Sequence, residues 1–457
     1  MKRMRTKRII VLIAALSVVL LALPASPAGA GHTTDPKTNN MHPLGHIVEP
    51  ASLLNASIGN PNIHTDIAFW GKHAFQGSWL GFNIRDISAP GNPKQVSFTP
   101  CTGNQGDVVV WENVLVRAWN SPASLGASCD GQLVPAGFEG LHVFDISNLS
   151  NPVLVGSVDL SALALPADPP RPTRCGSHTA TGVPDLANNR LLIYSSGSGC
   201  SGIDIVGVPL ANPGNAAFIR WEDSGRLCHD TGVILGDAMM AACAGGDGFT
   251  QWTLTGTGSL ENPDFVRSVS VPGVTIGHSA AFTWDGEVIV FGHEPGGGVQ
   301  ANCQASNPAS DKSAFFFDAV TGAQLGMWTL PRPQSNIENC TIHNFNVVPL
   351  KAKKGTPRYV LVSGSYQSGT SVVDFSDPAN PVEIAWSDPP AIPAVGGPFC
   401  GGLGCEIGGV WSSYWYNNFI YETNITEGLN NFRFSGNETA GALKLDHLNP
   451  QTQEFTL

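Results

Sequence analysis

The sequence predicts an all-β fold, a seven-bladed β-propeller of four-stranded antiparallel blades, and three observations support this prediction. A polar turn motif recurs through most of the 457 residues, a pair of short apolar segments precedes each copy, and no segment shows a convincing amphipathic helical pattern. With 42% hydrophobic and only 13% charged residues, the chain can bury a large core. A tandem row of sandwiches needs about seven strands per unit, which leaves the spacing of the motif unexplained.

The first 30 residues differ in composition from the rest of the chain. Five basic residues precede an apolar run from Ile9 to Leu23, and the small residues Ala28, Gly29 and Ala30 follow. This order is typical of a secretory signal peptide, and a run of about 15 apolar residues is shorter than a membrane-spanning helix requires. We expect a signal peptide at 1–30, an N-terminal extension at 31–59 and a single propeller domain at 60–457, secreted to the extracellular space or the periplasm.

The mature chain predicted in this way is acidic. Without the five basic residues of the signal peptide, 19 of the 24 Lys and Arg remain against 36 Asp and Glu, a net charge of −17. Nucleic acid and anionic membrane surfaces attract basic faces, so we expect no nucleic-acid partner and no membrane insertion after cleavage. The expected partners are a small molecule or an extracellular protein or glycan.

The recurring turn is built around an Asn-Pro pair. The pair begins at positions 92, 151, 212, 262 and 380, with separations of 59, 61, 50 and 118, and the last separation is twice 59. Asn tolerates the backbone angles of a turn, and Pro withholds an N–H group from the outer strand, so the pair suits a connection between two strands. The missing copy is assigned to residues 315–322, where Thr321-Gly322 makes the turn.

An Asp-Ile-Ser sequence before the turn is shared by Asp86–Ser88 and Asp145–Ser147. Together with the Asn-Pro pairs, these units resemble the LVIVD repeat family, a propeller-type repeat often found in exported prokaryotic proteins. The resemblance spans roughly residues 60 to 440. It implies the fold and not an activity, because propellers host enzymes, lectins and scaffolds alike. The final strand of the ring is expected from either His46–Ser52 or Ala442–Phe455.

Five histidines stand at the start of the innermost strand of a unit: His64, His178, His229, His278 and His343. The innermost strands of a propeller surround its channel, so these side chains are predicted to converge at one rim. Neutral imidazole is a good ligand for zinc, copper, iron and nickel, and copper and zinc are the leading candidates here. Further ligands, or groups that orient the rings, are predicted at Asp66, Asp107, Asp230, His293 and Glu294.

An alternative interpretation makes these histidines framework residues, like the Gly-His pair of WD-repeat propellers, which hydrogen-bonds within its own blade. Convergence of the imidazoles within a few ångströms distinguishes the two interpretations, since a framework tolerates dispersed rings.

Ten cysteines in an exported chain predict five disulfides between near neighbours. The expected pairs are Cys101 with Cys129, Cys175 with Cys200, Cys228 with Cys243, Cys303 with Cys340, and Cys400 with Cys405. A Cys/His zinc site is the alternative, because Cys175, Cys228 and Cys340 stand beside three of the histidines.

The leading functional hypothesis is an exported LVIVD-type propeller that binds a transition metal and a small molecule or partner at one face of its channel. One alternative is a non-catalytic extracellular scaffold that binds protein or glycan through the loops at 120–136, 161–174 and 296–312. A second arises from a weaker resemblance to the selenium-binding protein and methanethiol oxidase family, which implies a copper-dependent oxidoreductase acting on a small thiol. Whether the protein is an enzyme stays open.

Overall fold

The computed structural model describes residues 33–47, 62–161, 175–392 and 408–457. The predicted signal peptide, the pair Cys400 and Cys405, and nearly all of the loop at 161–174 lie outside these residues. The described residues contain β-strands and four short 3₁₀ helices, at Leu186–Asn188, Pro213–Asn215, Ala309–Lys312 and Asn437–Thr439. No helix among them is long and apolar enough to cross a membrane.

The strands of the first half of the chain form blades one to three. Strand β1 is Met41–Ile47. Blade one contains β2 (His64–Trp70), β3 (His73–Ser78), β4 (Gly81–Asp86) and β5 (Lys94–Pro100). Blade two contains β6 (Gln105–Trp111), β7 (Val114–Trp119), β10 (Gly140–Asp145) and β11 (Val153–Asp159), and the small hairpin β8 (Ser128–Cys129) and β9 (Gln132–Leu133) lies between its second and third strands. Blade three contains β12 (Thr179–Asp185), β13 (Arg190–Ser196), β14 (Ser201–Pro209) and β15 (Ala217–Leu227).

The remaining strands complete the ring. Blade four contains β16 (Asp230–Ile234), β17 (Met240–Gly245), β18 (Gly248–Thr253) and β19 (Asp264–Ser270). Blade five contains β20 (Gly277–Phe282), β21 (Val288–His293), β22 (Ser313–Asp318) and β23 (Gln324–Thr329). Blade six contains β24 (Phe345–Val347), β25 (Val360–Gly364), β26 (Thr370–Asp374) and β27 (Val382–Ser387). Blade seven contains β28 (Val410–Tyr416), β29 (Phe419–Asn424) and β30 (Gly428–Phe434), and two short strands, β31 (His447–Leu448) and β32 (Thr452–Gln453), follow it.

These sheets confirm the predicted seven-bladed propeller of four-stranded antiparallel blades. The first strands of successive blades contact one another around the ring, and β28 of blade seven contacts β2 of blade one. Apolar side chains from adjacent sheets pack together, so the hydrophobic core lies between blades.

The repeated aspartate of the sequence motif ends the third strand of a blade. Asp86, Asp145 and Asp374 are the last residues of β4, β10 and β26, and each carboxylate accepts a hydrogen bond from the backbone N–H two residues later, at 2.8, 2.8 and 2.9 Å. Asp318 makes the same bond to the N–H of Val320 at 3.0 Å, which confirms residues 315–322 as the missing copy. The motif is therefore an Asx turn that starts the connection to the outermost strand.

The N-terminal segment closes the ring. Strand β1 pairs antiparallel with β30, from Met41 opposite Phe434 to Ile47 opposite Leu429, and becomes the outermost strand of blade seven. Of the two closures expected from the sequence, the structure uses the N-terminal one. The closing strand lies a few residues before the predicted segment, and it spans residues that the sequence predicts to be an extension.

The C-terminal segment crosses the opposite end of the channel from the first residues of the innermost strands. Strand β31 pairs with Phe69 and Trp70 at the end of β2, and β32 pairs in parallel with Val233 and Ile234 at the end of β16. The Asn449 side chain exchanges two hydrogen bonds with the backbone of Val110, both at 2.9 Å. This segment therefore covers the channel end away from the histidines.

Four of the five predicted disulfides are present: Cys101–Cys129, Cys175–Cys200, Cys228–Cys243 and Cys303–Cys340. All eight described cysteines are therefore oxidised. The Cys/His zinc alternative is wrong for these residues, because a metal site needs thiolates and a disulfide sulfur has none to offer.

Candidate metal and ligand site

The first residues of the innermost strands line a cavity of about 510 Å³ at one end of the channel. Four of the five predicted histidines lie in its wall, on consecutive blades: His178, His229, His278 and His343. The volume is within the range of small-molecule sites, about 300–1,000 Å³.

Backbone hydrogen bonds to the second strand hold these histidines in place. The backbone N–H groups of three of them donate to backbone oxygens of the second strand. These bonds are His178 to Ser196 at 2.7 Å, His229 to Ala244 at 2.7 Å and His343 to Gly364 at 3.0 Å. A disulfide lies one to three residues before each of them, at Cys175, Cys228 and Cys340. The site therefore rests on rigid backbone.

The four imidazole rings form a continuous arc. Ring centroids are 4.3 Å apart between His178 and His229, 4.1 Å between His229 and His278, and 4.2 Å between His278 and His343. This convergence favours the functional interpretation of the histidines over dispersed framework positions.

Glu294 joins the arc from the loop after β21. Its backbone N–H donates to Ile276, and its side chain accepts a 2.5 Å hydrogen bond from the Tyr366 hydroxyl. Its carboxylate oxygens lie 3.7 Å from His278 Nε2 and 3.5 Å from His343 Nε2. Ligand atoms of His229, His278 and Glu294 all lie within 4.8 Å of one another, and the three residues are buried.

The hydrogen bonds at Nδ1 identify the tautomers of two rings. His343 Nδ1 donates to the backbone oxygen of Trp411. His278 Nδ1 lies beside Ser279 Oγ, whose own proton is used toward the backbone oxygen of His343 or Asn344 Oδ1, so Nδ1–H of His278 is the donor. In both rings, Nε2 therefore presents a lone pair to the Glu294 carboxylate.

The electrostatics of the site are dominated by burial. Burial lowers the pKa of His178 to about 4 and of His343 to about 3, and it holds the pKa values of His229 and His278 well below the usual range. Burial also raises the pKa of Glu294 to about 7. Neutral imidazole is the form that binds metal ions.

Comparison with known proteins supports the repeat assignment. A sequence model of the LVIVD repeat matches residues 136–160, which contain β10 and β11 of blade two. The structure is a seven-bladed propeller, and this part of blade two matches the LVIVD repeat. No protein with a curated description matches it in sequence.

Two solved structures resemble this propeller in shape. One is the β-propeller domain of Cps50 (Swd1) from Myceliophteria thermophila, with a TM-score of 0.47, 10% identity and coverage of 82% of this chain and 96% of that one. The other is the computationally designed Ika8 protein, with a TM-score of 0.40, 12% identity and the same two coverages. The weaker resemblance to methanethiol oxidases stays a prediction.

Two of the predicted histidines lie apart from the arc. His64 pairs with Ser78 at the end of β3, as Gly277 pairs with His293 at the end of β21, so it lies one residue before the position of His278. Thr65 and Asp66 line the cavity instead. Burial and the charge of Arg85 lower the pKa of His64 to about 3. His293 Nδ1 donates to the backbone oxygen of Ser310, and its Nε2 accepts from the N–H of Thr275, so both nitrogens serve the framework.

The three predicted aspartates are buried in the channel wall. Asp66 accepts hydrogen bonds from Tyr414 at 2.9 Å and Gln451 at 2.6 Å, and Asp107 accepts one from the N–H of Ala180 at 2.7 Å. Asp230 adjoins His229 but does not line the cavity. Among the described residues, none of the three belongs to a group of ligand atoms close enough to hold an ion.

A second compact group, Cys101, Cys129 and His142, lies inside blade two. Its two cysteines form a disulfide, so they supply no thiolate ligand. His142 packs instead between the rings of Trp119 and Phe138.

The sequence analysis missed Tyr366 and Trp79 as cavity residues. Tyr366 adopts a left-handed backbone with φ of 51°, and its hydroxyl approaches Gly298 so closely that a Cβ there would lie 2.2 Å away. Each of the two residues lies in the turn between the second and third strands of its blade. The three consecutive glycines at 296–298 were the available signal, because runs of glycine mark close approach of the backbone.

Proposed function

We propose that this LVIVD-type propeller is an exported protein that binds a transition metal ion through His229, His278 and Glu294 and holds a small molecule in the adjoining cavity. His343 and His178 extend the ligand set on either side of this group.

The arrangement of lone pairs around Glu294 is the observation that carries the proposal. The Nε2 atoms of His278 and His343 lie 3.7 and 3.5 Å from the carboxylate oxygens of Glu294, which is too long for good hydrogen bonds, and a cation between these donor atoms would offset the repulsion of their lone pairs. The donor atoms of a tetrahedral site with bonds of 2.0–2.2 Å lie about 3.4 Å apart. Small side-chain movements close the present spacing around an ion.

The donor set selects the class of metal. Two or three imidazoles and one carboxylate suit Zn²⁺, Cu²⁺ or Fe²⁺, whereas Ca²⁺ and Mg²⁺ prefer oxygen ligands alone. A site with three protein ligands beside a cavity retains a coordination position for water or a ligand. The metal would polarise a molecule bound at that position.

Export is proposed from two independent features. The N-terminal sequence has the order of a signal peptide, and four disulfides are present, which form and persist in oxidising compartments.

Metal content tests the proposal directly. We expect about one equivalent of zinc, copper or iron in untagged wild-type protein by plasma mass spectrometry, either as purified or after reconstitution. The His229→Ala/His278→Ala double variant should lose it, because two of the three central ligands are removed. The exposed His42 provides the control, and His42→Ala should retain the metal.

Thermal unfolding is the second readout. Added metal should raise the midpoint of wild type and His42→Ala but not that of the double variant, because a ligand that binds only the native state stabilises it by mass action. A folded wild-type protein that binds none of the three metals, or a double variant that binds as well as wild type, would contradict the proposal.

A further inference from the structure

The cavity has a second wall with a different chemistry from the histidine arc. Ile63 and Trp79 come from the start and the middle of blade one, and Trp411 comes from the innermost strand of blade seven. The two indole rings are partly exposed and pack against a small buried cluster that includes Ile63 and Tyr366. A partly exposed aromatic ring held by a buried cluster offers a preformed apolar surface to a ligand.

Trp411 connects the apolar wall to the arc. Its ring lies edge-on to His343, with centroids 4.9 Å apart, and its backbone oxygen accepts the His343 Nδ1 proton. A molecule lying against Trp411 is therefore adjacent to the arc of imidazoles. Leu227, Ile276 and Val299 add apolar surface to the cavity.

The charged side chains of the cavity bear on the charge of its ligand. Asp66, Asp107 and Glu294 line it, whereas no lysine or arginine does among the described residues. An anionic ligand would find no cationic side chain in the cavity, so the free-energy cost of its desolvation would not be offset by the protein. Abundant apolar surface also disfavours a strongly hydrated ligand such as a sugar.

The volume bears on the size of the ligand. A benzene molecule fills an apolar cavity of about 150 Å³. The observed 510 Å³ therefore accommodates a molecule of two or three rings, with room for a polar substituent that faces the histidines.

We propose that the cavity binds a small uncharged aromatic molecule, whose ring lies against Trp79 and Trp411 and whose polar substituent faces the histidine arc. The direction of the polar substituent rests on the proposed metal function, whereas the stacking surface exists without the metal.

Titration calorimetry with 2-naphthol, 2-naphthoate and methyl β-glucoside tests this proposal on wild-type protein, both stripped of metal and reconstituted. We expect 2-naphthol to bind the metal-free protein, 2-naphthoate to bind it at least tenfold more weakly, and the glucoside to give no measurable heat. Trp79→Leu should weaken 2-naphthol at least tenfold. Trp386→Leu, which alters an indole packed by Arg332 outside the cavity, should leave its affinity unchanged.

Ile63→Ala provides a second variant in case Trp79→Leu does not fold, and it should weaken 2-naphthol several-fold. The proposal is overturned if metal-free 2-naphthoate or the glucoside binds as well as 2-naphthol, or if folded variants of the apolar wall bind 2-naphthol as wild type does. Binding of 2-naphthol by a protein that takes up no metal would refute the metal function and support this inference. Metal uptake without any 2-naphthol binding would support the metal function and refute this inference.

Discussion

Tyr366 positions the carboxylate of Glu294. Its hydroxyl donates to Glu294 Oε1, and its ring lies 4.4 Å from that of His343. Its backbone exchanges two hydrogen bonds with Val410, each at 2.9 Å, which ties a turn of blade six to blade seven. Because Gly298 leaves room for the hydroxyl, three segments of chain determine the position of a single carboxylate.

Tyr366→Phe should weaken metal binding about tenfold, the lower end of the effect expected when a group that orients a ligand is lost. The ring remains and keeps its packing, so the fold should persist. Affinity for Zn²⁺ or Cu²⁺ measured by competition with a chelator gives the result.

Tyr194→Phe is the matched control, because its hydroxyl also makes one buried hydrogen bond, to the backbone oxygen of Leu260, but far from the cavity. Both variants should lose about 1 kcal/mol of stability. Equal metal affinity in the two variants would show that Tyr366 has no positioning role.

Strands differ in what they contribute to this propeller. The third and fourth strands carry the repeat and its Asx turns, whereas the first residues of the innermost strands carry the site. A one-residue bulge occurs at the start of β2, β6 and β20, and residues from each of the three bulges line the cavity. In blade two, strand β10 places His142 against the rings of Trp119 and Phe138 and opposite Arg117.

His142 makes the stability of blade two dependent on pH. Burial, and then the charge of Arg117, lower its pKa from 6.5 to about 3. The folded state thus disfavours the protonated ring, and the resulting contribution to stability is complete above pH 6.5 and lost as the pH falls towards 3.

His142→Phe removes this contribution while it keeps an aromatic ring. The stability of the variant relative to wild type should therefore increase on acidification, by on the order of 2 kcal/mol between pH 7.5 and pH 4.5. Denaturant unfolding of both proteins at the two pH values measures the difference, and the value at pH 7.5 isolates the change in packing. A difference that does not vary with pH would refute the assignment.

Both ends of the described chain stabilise the whole ring. Strand β1 completes blade seven, and residues 446–457 contact the ends of innermost strands in six blades. Besides the Asn449 bonds to Val110, the backbone N–H groups of Val233 and Leu235 donate to Gln451 and Gln453, both at 2.8 Å. The Thr452 hydroxyl donates to the backbone oxygen of Gly182, and the Gln453 side-chain amide donates to the backbone oxygen of Phe282. The segment therefore links blades that are distant in sequence.

Deletion of residues 446–457 should lower the free energy of unfolding by several kcal/mol, because at least six such hydrogen bonds are lost at about 1 kcal/mol each. Thermal unfolding measures the effect. Asn449→Ala removes only the two bonds to Val110 and should cost less. An unchanged midpoint in the truncated protein would show that the segment does not stabilise the ring.

Local features of the sequence were sufficient to predict the blades and the four described disulfides. Strand length, turn residues and cysteine spacing act over a few to a few tens of residues. The recurring turns and the pairs of short apolar segments therefore predicted seven blades, and proximity predicted the four observed disulfides. The five histidines were likewise found by their position in the repeat, and Glu294 by its place after a second strand.

Membership in the site depended on geometry that no spacing reports. His64 lies one strand position before that of His278 and so does not line the cavity, whereas the four other rings converge. Hydrogen bonds to Thr275 and Ser310 fix His293 in the framework. Tyr366 reaches Glu294 through a left-handed turn, and β1 closes a blade whose other strands lie more than 350 residues away. The sequence pattern predicts strands because side chains alternate locally along a strand. Which side chains meet depends on strand register, turn dihedrals and long-range pairing, and these are determined only by the tertiary structure of the closed ring.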